Sequence, residues 1–528
     1  MKSIRLDGKS LTRQQLLAVA NGASVELDPA ALKAVARAAD FLAAQVDRGE
    51  PLYGISTGFG SNADKLLAGA GHALRGASEK LQRNLIETHA VCVGEPFAAD
   101  VVRAMLCIRI NTLLRGHSGI RVSTLQSLAA MLNAGIVPVV PQLGSVGASG
   151  DLAPLSHLAI VLLGGGEAFY QGERLPGGEA LQRAGLSPVT LGLKEGLALN
   201  NGTAQMLATG TLALSKLEEL LDTADLAAAM TLDAFAGRLG AFAEEVHALR
   251  PHPGQVHVAA RLRKLLEGST LADIAYARVP GKKVQPQDSY SLRCVPQVHG
   301  AVRDAVAQAA RVFEIELNAV TDNPLVFPDA EGAPLDRQVI SAGHFHGMPL
   351  ALAMSYVKAA IPVLASISER RLNKLVDPAT SDGLPGFLVG NEDGTESGYM
   401  IVQYTAAAIV NDLASRAMPA SVYSIPTSAN AEDHVSMGAN EARHVLAMAD
   451  DLGKVLGLEL MTAAQALDLR LRMVEGEARP GRAVAAAHAA IRERIGFLEH
   501  DRALDGDVGE AVRIVSGSVL SAIASARD

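Results

Sequence analysis

Thr203-Ala204-Gln205-Met206-Leu207-Ala208-Thr209-Gly210-Thr211-Leu212-Ala213-Leu214-Ser215-Lys216-Leu217-Glu218-Glu219-Leu220-Leu221 puts Leu207, Leu214, Leu217 and Leu221 on one side of a helix, because residues three, four and seven apart stack at 3.6 residues per turn. The same spacing returns at Val302, Val306, Ala309, Phe313 and Leu317, and near the C-terminus at Val484, His488, Ile491, Ile495 and Leu498. Alanine is abundant and favours helix, and the absence of Trp leaves helix contacts to smaller side chains. Two stretches break the period. Residues 135–150 carry Pro138, Pro141 and four glycines, with a strand-like piece at Ile136-Val137-Pro138-Val139-Val140; residues 192–202 are the other, and both read as irregular loops. The expectation is a mainly α protein: an irregular N-terminal part over 1–200, a long-helix bundle over 201–470 and a helical tail over 471–528. So much apolar helical surface predicts an oligomer.

Composition narrows the function classes. Of the 528 residues, 49% are hydrophobic and 20% charged, which excludes a disordered or fibrous chain. A net charge of −9 without a long basic run argues against nucleic acid, which needs clustered Lys and Arg. The start, Met1-Lys2-Ser3-Ile4-Arg5-Leu6-Asp7, has no apolar core of a signal peptide. The longest apolar stretch, Met348 to Ala365, is interrupted by Lys358 and Pro362 and reads as a buried helix rather than a membrane span. Cys92, Cys107 and Cys294 lack CxxC spacing, and no HExxH occurs among the 14 histidines, so neither a disulfide framework nor a metal site is expected. A reducing cytoplasm fits.

Gly144-Ser145-Val146-Gly147-Ala148-Ser149-Gly150-Asp151-Leu152-Ala153-Pro154 carries the chemistry. Its glycines permit backbone conformations that other residues resist. A phosphate cradle lacks the Walker Lys-Ser/Thr pair, and a nucleophile elbow needs GxSxG. An ordinary turn stays open on spacing alone. The remaining reading is a self-modification, in which the Gly150 nitrogen attacks the Ala148 carbonyl carbon, a five-membered ring closes, and loss of the Ser149 hydroxyl leaves an exocyclic methylene. Gly150 gives access, Ala148 leaves its carbonyl open, and Ser149 supplies the leaving group; strain in the turn would promote closure.

Further motifs accompany it in order: Tyr53-Gly54-Ile55-Ser56-Thr57-Gly58-Phe59-Gly60, Asn201-Gly202-Thr203, Tyr290-Ser291-Leu292-Arg293-Cys294-Val295-Pro296-Gln297, Thr321-Asp322-Asn323-Pro324, Phe345-His346-Gly347 and Ser424-Ile425-Pro426-Thr427-Ser428-Ala429-Asn430. Over about residues 50 to 440 the chain resembles the histidine/phenylalanine/tyrosine ammonia-lyases. The resemblance implies a fumarase/aspartase-like helical fold and a 4-methylidene-imidazol-5-one group (MIO), formed autocatalytically from Ala148-Ser149-Gly150, with no dissociable cofactor. It also implies a small amino-acid substrate, and a homotetramer in which several chains build each site. The substrate amine would add to the methylene at Ser149, making nitrogen a better leaving group.

By the same resemblance, Tyr53 is the base for the β-proton. A phenol is a weak acid, so it must be activated, and activity should rise toward alkaline pH. Arg293 holds the substrate carboxylate in a bidentate pair. Asn201, Gln287 and Tyr290 line the site, with Tyr290 among the catalytic set, and Phe345 packs on a ring. Outside the family pattern each has a plainer reading: loop anchor, structural ion pair, loop hydrogen bond or core.

Substrate choice leans toward histidine. Thr88-His89 stands where histidine-type enzymes have Ser-His, whereas phenylalanine and tyrosine types resemble Phe-Leu or His-Leu. Glu432-Asp433-His434-Val435-Ser436-Met437-Gly438 also resembles the histidine branch. Asp412 stands one methylene short of the Glu that would meet an imidazole, Tyr423 replaces an Asp, Glu396 replaces an Asn, and His344 replaces the Asn of Gly-Asn-Phe-His. The expected reaction is L-histidine to trans-urocanate and ammonia. Alternatives are a phenylalanine or tyrosine lyase, a 2,3-aminomutase, and a helical binding protein that has lost catalysis.

Overall fold

The computed structural model describes residues 3–50, 52–59, 64–67, 72–283, 285–330, 332–390 and 394–525. Met1 and Lys2 of the quoted N-terminus, and Gly60 of the Tyr53 motif, lie outside the described residues. Helices dominate, and the described strands form four small sheets of two or three strands each. The chain groups into two compact units: Met1–Leu212 with Ala309–Ser355 and Pro419–Arg443, and Ala213–Gln308 with Tyr356–Met418 and His444–Asp528. Their boundaries fall inside long helices such as Ala204–Phe235 and Gly438–Met473, whereas the expected division at residues 200 and 470 follows chain order.

The helix expected from Thr203 onward runs Ala204–Phe235. Leu207, Leu214, Leu217 and Leu221 are buried, but so are Thr209, Thr211, Thr223, Asp225, Thr231 and Asp233. This helix is enclosed nearly all round, and its buried polar groups are bonded where partners reach them: Thr211 donates to Leu207 O at 2.7 Å and Thr231 to Glu459 at 3.0 Å. Val302, Val306, Ala309, Phe313 and Leu317 are likewise buried along Val295–Glu316 and the residue after it. The C-terminal stripe is cut short. The helix Arg482–Arg492 ends before Ile495 and Leu498, which are nonetheless buried, while His488 turns to Asp468 at 2.9 Å.

Met348–Val376 is a single helix despite Pro362. The expected buried helix is instead amphipathic: Leu350, Met354, Val357, Ile361 and Leu364 are buried, whereas Leu352, Tyr356 and Val363 are exposed. The 135–150 stretch is irregular as read, with short strands at Val137–Pro138 and Pro141–Leu143. The 192–202 stretch differs, holding a helix at Glu195–Asn200. Its support is distant in sequence. Gln82 Oε1 accepts the Leu197 N–H at 3.2 Å, and the buried Arg109 donates from Nε to Ala198 O at 2.8 Å and from Nη1 to Asn201 O at 2.7 Å, satisfying terminal carbonyls that the helix itself leaves unpaired.

Candidate active site

Residues 144–151 form a tight turn between the strand Pro141–Leu143 and the helix Leu152–Leu162. Gly147 and Gly150 sit at φ 71° and 73°, the region that favours glycine. A Cβ on Gly150 would meet Gly202 O at 2.2 Å, so the close approach itself requires glycine there. The Asp151 N–H donates to Gly202 O at 2.7 Å, and Asn201 Nδ2 donates to Ser149 O at 3.2 Å. Ser149 Oγ donates to Glu432 Oε1 at 2.7 Å, and Thr427 Oγ1 holds Glu432 Oε2 at 2.8 Å. Behind the turn, Asp151 is fully buried and accepts the Met206 N–H at 2.9 Å. Burial pushes its carboxyl up to about 7, against the hydrogen bonds that lower it.

The turn opens on a cavity of about 800 Å³. Tyr53, His89, Ser149, Asn201 and Phe345 all line it, so five of the expected site residues meet in one place. The Tyr53 ring stands edge-on to Phe59 at 6.5 Å between centroids. His89 ends the helix His72–His89, with Nδ1 at 3.1 Å from Thr88 Oγ1. Burial lowers its pKa, partly offset by a backbone hydrogen bond and the Glu432 charge, which favours the neutral imidazole. Ala148 is buried beside Val435 and Met437 rather than lining the cavity. His344 is exposed between the lining residues Gly343 and Phe345.

Gln287, Tyr290, Arg293 and Asp412 belong to the second unit and are not among the lining residues. Gln287 is exposed and Tyr290 is 71% exposed, with the Arg293 guanidinium 4.7 Å over its ring and Arg293 Nε on Asp288 O at 3.0 Å. Asp412 is exposed on Met400–Arg416 and pairs with Arg416. Glu396 meets His500 Nδ1 at 2.8 Å.

Glu432 and Asn323 line the cavity but carried no role in the sequence reading, although both lie in quoted motifs. Leu81, Asn84, Leu85 and Thr88 also line it; their spacing of three, four and seven was a legible helical face. The residues fit an internally derived ring: the tripeptide is in place, Gly150 has no room for a side chain, and the Asn201 amide donates to the Ser149 carbonyl while its own buried Oδ1 has no partner among the described residues.

Comparison with known proteins agrees. The family model described as aromatic amino acid lyase matches residues 11–493. A histidine ammonia-lyase of Symbiobacterium thermophilum is 49% identical over 525 residues, 99% of this chain and 98% of its own length. The crystal structure of histidine ammonia-lyase from Trypanosoma cruzi superposes with a TM-score of 0.88 at 35% identity, covering 99% of this chain and 95% of that one. Tyrosine aminomutase from Streptomyces globisporus gives 0.90 at 34%, covering 100% and 99%. By the motifs, the turn and these likenesses, the chain belongs to the aromatic amino acid lyase family.

Proposed function

We propose that this protein is a carbon–nitrogen lyase that converts L-histidine to trans-urocanate and ammonia. The observation that carries this reading is the convergence of Ser149, Glu432, Tyr53 and His89 on one cavity, with Glu432 2.7 Å from the Ser149 hydroxyl. Ala148-Ser149-Gly150 would hold the MIO group, which would supply an electron-poor methylene to activate the substrate amine. Tyr53 takes the β-proton; that electron pair becomes the Cα–Cβ double bond as the Cα–N bond breaks. Glu432 is the carboxylate lining the cavity, and it suits an imidazole N–H as partner. His89 and Phe345 flank the substrate, and Asn201 orients the Ser149 carbonyl.

Gln287, Tyr290, Arg293 and Asp412 act on the substrate from other copies of the chain in a homotetramer, Arg293 taking the carboxylate. The exposed Tyr356, Val363, Ile401 and Tyr404, on Met348–Val376 and Met400–Arg416, support such an assembly. Three free thiols suit a reducing cytoplasm.

The test is ultraviolet absorbance of purified protein with each amino acid. Urocanate forms from L-histidine, and Tyr53→Phe lowers kcat by at least about a hundredfold, the usual scale for a lost general base. Cinnamate, coumarate or a β-amino acid in place of urocanate would transfer the assignment to the phenylalanine or tyrosine lyases or the aminomutases.

A further inference from the structure

One hydroxyl spans the turn. Ser145 Oγ accepts the Gly147 N–H at 3.1 Å, and lies 3.3 Å from Gly150 O and 3.0 Å from Asp151 Oδ1, to either of which it donates. Gly147 immediately precedes Ala148, and Gly150 ends the tripeptide. Accepting an N–H two residues on is what serines do in ordinary turns; the bond across to the Gly150 carbonyl is not. Other contacts tie each flank outward. Ser436 Oγ donates to Gly147 O at 3.1 Å, the Met437 N–H to Val146 O at 2.9 Å, and the Asp151 N–H to Gly202 O at 2.7 Å. None of these joins one flank to the other. Asp151 holds the same hydroxyl from behind the turn: its Oδ2 accepts the Met206 N–H at 2.9 Å, and its Oδ1 is the second acceptor within reach of Ser145 Oγ.

We infer that Ser145 is the positioning residue for ring closure, its hydroxyl drawing the Gly147 and Gly150 ends of the turn together so that the Gly150 nitrogen meets the Ala148 carbonyl carbon. This rests on the reading of the turn as the source of the ring. The new bond joins Gly150 N to Ala148 C. The Ala148 oxygen leaves as water with the hydrogens of the Gly150 and Ser149 nitrogens. The Ser149 hydroxyl leaves as a second water with the hydrogen of its own Cα. No oxidant is needed, and Ser145 is unchanged at the end. Its contribution is to hold reacting atoms near contact, which otherwise costs the freedom of the loop.

The test compares Ser145→Thr with Ser145→Val in the full chain, an isosteric pair differing by the hydroxyl. Folding is checked by circular dichroism and thermal melting, and intact mass is followed from the moment of refolding. Wild type and Ser145→Thr should lose two waters, and Ser145→Val should do so at least about tenfold more slowly, the effect of one hydrogen bond lost on the way to closure. Equal rates for Thr and Val overturn the inference. So does a Val variant that does not fold where the Thr variant does, since the hydroxyl would then serve the fold. A wild-type protein that keeps its encoded mass is a separate result, which sinks the reading of the turn itself.

Discussion

The chemistry of single residues decides how pH acts on this protein. Asp151 is enclosed, and its carboxyl lies at about 7 against an ordinary 3.8. The folded chain therefore holds a proton that the unfolded chain releases. Its stabilising share is full below about pH 4 and is lost as pH rises toward 7, with no further change above. Asp233, raised to about 6 by burial, adds the same sign over a lower window. Asp151→Asn keeps an acceptor for the Met206 N–H without the titration. Its melting temperature should fall less than that of wild type between pH 5 and 8, and parallel curves would refute the assignment. At this scale the sequence was legible where the backbone demands one residue type: Gly150 was singled out for access of its nitrogen to the Ala148 carbonyl, and the structure adds a separate demand, since a Cβ there would lie 2.2 Å from Gly202 O. Glu432 was not legible as a partner of Ser149, because 283 residues separate them and only folding brings them to 2.7 Å.

Elements were legible in proportion to how local their stabilisation is. Ala204–Phe235 and Val295–Glu316 announce themselves by apolar period, and burial follows it. Glu195–Asn200 does not, because its support comes from elsewhere in the chain. Lys194 enters it at φ 58°, and its ammonium meets Asp322 at 2.7 Å with both side chains fully buried. Glu195 accepts the Arg121 N–H at 2.9 Å. Such a pair is worth little against a well-packed apolar substitute, but removing one partner strands the other. Lys194→Met should cost about 3 kcal/mol in denaturant unfolding, since Asp322 is left buried without its ammonium partner. Adding Asp322→Asn should recover a substantial part of that loss. A double variant no more stable than Lys194→Met would show that the ion pair is not what holds this helix start. Because the same helix leads into Asn201, both variants should also lower turnover.

The whole molecule was the least legible level, since period and motif say which residues matter and not how they come together. Tyr53, His89, Ser149, Asn201 and Phe345 share one cavity, whereas Tyr290 and Arg293 lie in the other unit with exposed or half-exposed side chains. If each site takes Tyr53 from one chain and Arg293 from another, two dead variants can repair each other. Tyr53→Phe and Arg293→Ala alone should each be nearly inactive. Refolded together in equal amounts as mixed oligomers, about one quarter of sites should regain both groups by random assortment, since each group is supplied intact half the time by a symmetric assembly. Were both drawn from the same chain, no mixed oligomer could contain an intact site and the mixture would stay as inactive as its components. Activity measured against the wild type, with mixed assembly verified by sizing and tagged pull-down, separates these outcomes: recovery near one quarter supports sites completed between chains, and no recovery from verified mixed oligomers rejects them.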